Sequence, residues 1–216
     1  HPANTLSLHD ALPILNIYIA RHGETKWNIE GRMQGFKNSD LTQRGISDAR
    51  SLGESLKDID FDCIYSSPLG RALDTAKYIR QDDNTKIILD DSLKELNLGL
   101  WEGMTHEEIK EKYPIQYNNF REHPESFESQ GGESFLELIK RVEKGLNNII
   151  KDENHENILI VTHTCVIKAI SIIVKGNDVK DFWNLPFINN TSLTILEVIN
   201  KEIKVLLEAD VSHLKQ

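Results

Sequence analysis

IYIARHGETKWN, residues 17–28, is the stretch on which the reading of this chain turns. Ile17 and Ile19 alternate with Tyr18 and Ala20, the pattern of a short strand covered on both faces. The run then ends in a cation, an imidazole and a residue without a side chain. Either polar residues merely close a strand, or the strand delivers a nucleophile to an anion. The rest of the chain decides between the two by what else it points at the same place.

Working outward, strands and helices alternate. Thr42 offers an N-cap to a helix whose Ala49, Leu52, Gly53 and Leu56 share a face. FDCIYSS (61–67) reads as a buried strand running into PLGRALDTAKYIR (68–80), with Ser67 as N-cap and Pro68 at the first helical position. KIILD (86–90) is a further strand. From Leu100 to about Gly132 the pattern is less regular, and this segment is expected to form a lid insertion. Phe135, Leu138, Ile139, Val142, Leu146, Ile149 and Ile150 then keep a helical stripe. NILIVTH (157–163) is a continuous apolar strand of the kind a parallel sheet buries, followed by a helix stopped near Gly176. LTILEVI and IKVLLE, joined around Asn200-Lys201, read as a terminal hairpin. The alternation predicts an α/β fold, a three-layer α/β/α sandwich on a mostly parallel sheet, with no linker dividing two domains.

Two strands therefore end alike, one in Arg21-His22 and one in Thr162-His163. In an open α/β sheet ligands bind outside the carboxyl ends of strands, so both histidines are placed to face one site. The residue types suit phosphoryl transfer. A neutral imidazole, with an unperturbed pKa of about 6.5, is a competent nucleophile near neutral pH. Attack on a phosphomonoester brings electrons towards a dianion, so cations must hold the equatorial oxygens. Arg21 stands beside the nucleophile, Gly23 leaves room for backbone to approach a phosphate, and Arg71 supplies a second planar fork. The leaving oxygen needs a proton. Glu95 in LKELNLGLWEG is the candidate, although spacing alone does not single it out from 34 acidic residues, of which most are solvated.

RHGETKWN, GRMQG, SSPLGRALDTA, LKELNLGLWEG, GGES and VTH, in that order, resemble the histidine phosphatase superfamily, also called phosphoglycerate mutase-like. The resemblance runs from about Leu15 to His213 and is nearest the bacterial broad-specificity phosphatase branch. It implies that His22 is the phosphorylated nucleophile, that Glu95 is the proton donor, and that Arg21, Arg71 and His163 bind the phosphoryl group, His163 in protonated form. It implies polar phosphate or substrate contacts from Asn28, Gln34 and Gly35, with a turn-stabilising role as the alternative for Asn28. Glu24 and Thr25 are read as shaping the turn. It implies no metal and no cofactor. Thr164 stands where the family commonly has glycine. Its backbone N–H can still donate to phosphate, but a β-branched residue resists positive φ. A left-handed conformation there predicts poor activity or an altered pocket.

Composition sets outer limits. The chain has 216 residues, 39% apolar and 27% charged, which suits an ordinary globular protein. A net charge of −9 argues against non-specific nucleic-acid binding, yet leaves room for a small phosphorylated metabolite in a locally basic pocket. Cys63 and Cys165 stand alone in apolar runs without metal-ligand spacing, and are expected to be buried thiols in a reducing cytoplasm. No run is long and apolar enough to span a bilayer. HPANTLSLHDALPI (1–14) has no basic start and resembles translated sequencing adaptor; it is expected to be a non-native or disordered extension, with one phosphatase domain over 15–216 and its lid at about 100–132. Trp27, Phe36, Trp101, Trp183 and Phe187 are candidates for an apolar pocket wall. Lys110, Lys112, Arg121 and His123 are the lid's candidates for a second anionic group. The expected activity is a phosphomonoester hydrolase of broad specificity. The alternatives are a cofactor-dependent phosphoglycerate mutase, a sugar bisphosphatase, an α-ribazole phosphatase, or a weakly active phospho-ligand sensor or scaffold. A monomer or homodimer is expected.

Overall fold

The computed structural model of the chain describes residues 14–81, 84–151 and 154–214. Its centre is a sheet of six strands: β1 (Ile14–Arg21), β2 (Cys63–Ser66), β3 (Ile87–Leu89), β4 (Asn157–Thr162), β5 (Leu193–Ile199) and β6 (Glu202–Asp210). They lie in the order β3-β2-β4-β1-β5-β6, the first four parallel and the last two antiparallel. The expectation for the first fourteen residues falls outside the described residues except at Ile14, which opens β1 opposite Ile199.

Strand alternation sorts side chains to two cores. Leu15, Ile17, Ile19, Ile158 and Ile160 face one layer; Ala20, Leu159 and Val161 face the other. The second layer is α2 (Gln43–Ser55) and α3 (Gly70–Arg80), the first α6 (Phe135–Ile150) and α7 (Thr164–Lys175). The three-layer sandwich is as the sequence predicts. Helix α6 shows why: Phe135, Leu138, Val142, Leu146 and Ile149 are buried along one stripe. Each contributes about 1.5–3 kcal/mol of burial, against about 1 kcal/mol for the Ser134–Glu137 capping box at its start. Packing, more than capping, holds the helix.

Thr42 caps α2 as expected, accepting from the Gly45 N–H. Ser67 does not cap α3. Leu69 occupies that position with no side-chain cap, and Pro68 precedes it; the Ser67 hydroxyl accepts from the Leu69 N–H at 3.3 Å and also meets His163, past the end of β4. Asn200 and Lys201 both have positive φ, 53° and 68°, and close the β5–β6 hairpin. Between β3 and α6 the chain is largely helical, with α4 (His106–Lys112) and α5 (Pro114–Glu122) flanked by short 3₁₀ turns. Among the described residues no helix is long and apolar enough to cross a membrane.

Strands β1 and β4 are neighbours, but α2 follows on one face of the sheet after β1 and α7 on the other after β4. A crevice opens at their carboxyl ends, where open α/β sheets hold ligands.

Candidate active site

Parallel pairing sets Arg21 opposite Thr162, and the His22 N–H continues the ladder to the Thr162 carbonyl at 2.9 Å. His22 and His163 thus emerge side by side, ring centroids 5.2 Å apart. His22 Nδ1 lies 2.7 Å from the Gly23 carbonyl oxygen. A carbonyl only accepts, so Nδ1 carries the proton and Nε2 keeps its lone pair. Burial, then Arg71 and Arg21, holds the ring well below the ordinary histidine range, and it is neutral at physiological pH.

Gly23 differs from its expected role. A Cβ there would lie 2.6 Å from the Gly45 carbonyl, so the missing side chain admits α2 rather than a phosphate. The Gly23 N–H donates to Thr75 Oγ1 at 2.9 Å, and that hydroxyl donates to the Arg71 carbonyl at 2.7 Å. The loop that carries His22 is thereby tied to α3.

Arg71 is 1% exposed, and burial lowers it to about 10. Its Nη1 and Nη2 donate to the carbonyls of Lys37 and Gly35 at 2.7 and 2.8 Å. Arg21 donates through Nη1 to the Ile188 carbonyl at 2.7 Å, and burial lowers it as well. In both arginines Nε is buried and finds no hydrogen-bond partner among the described residues, as does His163 Nδ1. Three buried donor or acceptor positions on three elements thus lack partners around the His22 ring, an arrangement suited to the oxygens of a phosphoryl group.

Glu95 accepts from its neighbour Leu96 N–H at 2.9 Å and from the Cys165 N–H, in the first turn of α7, at 3.1 Å. Burial raises its pKa, opposed by those two N–H groups, Arg71 and Arg21. Cys165 remains a thiol, pushed up by burial and by Glu95.

His163 is the clearest correction. Its Nε2 is 2.8 Å from Ser67 Oγ, and burial, Arg71, His22 and Arg21 hold its pKa well below the usual range. That direction runs against the protonated ring expected of it. For Thr164 the condition that would impair the site is not met. This residue is the first of α7 and is not among the residues of positive φ, so no left-handed conformation is demanded of it.

The expected contacts are split. Asn28 completes the capping box of α1 (Lys26–Ile29), its oxygen accepting from the Thr25 N–H at 3.0 Å, so the turn-stabilising alternative is realised. Gln34 donates to Thr25 Oγ1 at 2.9 Å while its Oε1 is buried without a partner among the described residues. Gly35, with φ 52°, gives its carbonyl to Arg71, and a Cβ there would run into the Glu102 carboxylate. All three border the cavity, as does Thr164. Glu24 accepts from Thr42 Oγ1 at 2.8 Å and shapes the turn as read.

The cavity, about 230 Å³, runs from Arg21, His22, Arg71 and Glu95 to Trp27, Phe120, Arg121, Trp183 and Phe187, while His163 does not border it. Phe36 and Trp101 do not border it; Trp101 is packed against Phe120 and Phe127 in the core. Of the lid cations expected, only Arg121 reaches it, together with His106, which sequence reasoning missed. Sequence also missed the carbonyl partners of both arginines and the Cys165 N–H on Glu95. Backbone groups carry no residue signature, so no sequence signal marks them.

Comparison with known proteins agrees with the geometry. Residues 17–211 match the family model described as the histidine phosphatase superfamily, branch 1. The chain is 33% identical to phosphoserine phosphatase 1 of Hydrogenobacter thermophilus, over 89% of this chain and 91% of that one. It superposes on the structure of YhfR from Bacillus stearothermophilus with a TM-score of 0.91 at 39% identity, covering 93% of this chain and 100% of that one. A phosphoserine phosphatase from Entamoeba histolytica, solved in complex with 3-phosphoglyceric acid, gives 0.81 at 31% identity, covering 93% and 100%.

Proposed function

The chain belongs to the histidine phosphatase superfamily, branch 1, and from that membership we propose that it hydrolyses small phosphomonoesters through a phosphohistidine at His22. One observation carries the reading: His22 Nδ1 is bound to the Gly23 carbonyl at 2.7 Å, which leaves Nε2 as a lone-pair nucleophile among three unpartnered buried nitrogens, Arg21 Nε, Arg71 Nε and His163 Nδ1.

In the first step the Nε2 lone pair forms the N–P bond as the ester P–O bond breaks. Arg21 and Arg71 hold the equatorial oxygens, and their positive charge offsets the approach of electrons to a dianion. His163 serves as a neutral hydrogen-bonding partner through Nδ1. Glu95, its pKa raised by burial, gives its proton to the departing oxygen. In the second step water attacks phosphorus, Glu95 takes a proton from that water, the N–P bond breaks, and neutral His22 is regenerated. The helical segment from about 100 to 132 covers the alcohol half of the ester, with Trp27, Trp183 and Phe187 as its apolar surroundings. The relatives named phosphoserine phosphatase support a small phosphorylated metabolite as substrate. A reducing cytoplasm suits two cysteines, Cys63 and Cys165, that are both buried.

The test is phosphate release from phosphoserine, 3-phosphoglycerate and p-nitrophenyl phosphate with EDTA present, for the wild type and His22→Ala. Release by the wild type that falls by a factor of 10³ or more in the variant is the expected result, of the order that loss of a nucleophile produces. Release that survives in His22→Ala overturns the mechanism.

A further inference from the structure

The GGES motif occupies residues 131–134, just ahead of α6. Glu133 of that motif meets Arg141 of α6 in a two-point ion pair, Oε1 to Nε and Oε2 to Nη2, each 2.7 Å. The pair is mostly shielded, with side chains 15% and 21% exposed. The remaining guanidinium donors all turn to one backbone segment. Nη1 donates to the carbonyls of Ser92 and Lys94 at 2.8 and 2.9 Å, and Nη2 to the carbonyl of Glu95 itself at 3.2 Å. Glu133 closes the other side: its Oε2 accepts from the Asn97 N–H at 3.0 Å, and its own N–H donates to the Asn97 carbonyl at 2.9 Å.

Glu95 sits in the middle of this clasp, on a segment outside the six strands whose only regular piece is the turn Asp91–Leu93. An unstructured segment would leave its carboxyl free to swing towards water. We propose that Arg141, aligned by Glu133, is a positioning residue for the proton donor: by gripping the carbonyls of Ser92, Lys94 and Glu95 itself, while Glu133 holds Asn97 on the other side, it keeps that carboxyl against the first turn of α7. Lysine cannot replace it, since one ammonium lacks the planar fork that serves a carboxylate and three carbonyls together. The inference rests on the proposed role of Glu95.

Leaving groups separate positioning from mere structure. p-Nitrophenolate departs without a proton, whereas the alkoxide of phosphoserine needs one. A misplaced donor therefore lowers kcat/KM for phosphoserine far more than for p-nitrophenyl phosphate, up to the 10²–10⁴-fold that general acid catalysis supplies. Arg141→Lys and Glu133→Gln are each expected to raise the ratio of kcat/KM for the aryl ester over the alkyl ester by at least about tenfold. Glu95→Gln, measured alongside, is expected to raise it further. If Arg141→Lys does not fold, as judged by its circular dichroism melt, Glu133→Gln decides alone. An unchanged ratio in the folded variants, whether both esters fall together or neither falls, overturns the role of Arg141 while leaving that of Glu95 intact. An unchanged ratio in Glu95→Gln overturns the proton donor, and this proposal with it.

Discussion

At the scale of single residues the site separates two titrating groups by environment. The same burial that lowers His22 raises Glu95, so one pocket holds a neutral imidazole beside a protonation-prone carboxyl. Thr164 belongs to this scale too. Because it starts α7 with ordinary helical backbone, the family's usual glycine is not required there by conformation. Thr164→Gly frees the backbone at a helix start, at a stability cost of up to about 1 kcal/mol. The neighbouring Cys165 N–H still holds Glu95. Turnover by Thr164→Gly of the phosphomonoester that the wild type hydrolyses is expected to stay within about threefold of wild type or rise, a span of under about 1 kcal/mol in the barrier. A purified, folded variant with a large loss of kcat contradicts this placement of Thr164.

At the scale of elements, what the sequence made legible was whatever periodicity or a side chain could carry. The two strand ends bearing His22 and His163, the stripe of α6 and the stop of α7 all lay open, because burial on a strand or helix repeats. What sequence hid was set by close approach and by backbone partners. Gly23 read as room for a ligand and is room for a helix. Ser67 read as a cap and is a partner of His163. The grip of Arg141 on three carbonyls had no signature at all. The glycine contact yields a prediction. Gly45 faces Gly23 across the β1–α2 approach, and a Cβ on it would strike the Glu24 backbone carbonyl, which has no flexible end to move aside. Gly45→Ala must push α2 from the loop that carries His22. Overpacking of this kind costs about 1–3 kcal/mol, and the shift displaces the loop of His22, the proposed nucleophile, directly. A fall in Tm of several degrees together with a loss of kcat of at least tenfold is expected from calorimetry and steady-state kinetics. A variant as stable and as active as wild type refutes the packing described for this pair.

For the whole molecule, the site's burial becomes a stability that depends on pH. His22 and His163 are neutral when folded but take protons below about pH 6.5 once unfolded. Their contribution is therefore complete above that pH and is lost as pH falls through it. Glu95 has the opposite sign. Its folded pKa lies above the unfolded value of 4.5, so its contribution is complete below 4.5 and is lost as pH rises through the folded pKa. Wherever Glu95 is still protonated in the folded chain, two histidines pull stability down with acid and one carboxyl pushes it up. The site then leaves a net slope near that of one group, about 1–1.5 kcal/mol per pH unit. His106 and His213, also held low mainly by burial, add slope in the histidine sense. They are common to every variant, so differences between variants isolate the site. Urea unfolding at pH 7.5, 6.5 and 5.5 should show the wild type losing stability with acid. Glu95→Gln should lose more steeply at those pH values where Glu95 is still protonated in the folded chain, having no opposing carboxyl there, and His163→Asn less steeply, with one histidine removed. Parallel profiles for all three proteins would mean that these groups titrate alike in the folded and unfolded chain, and that the site does not hold His22 and His163 neutral.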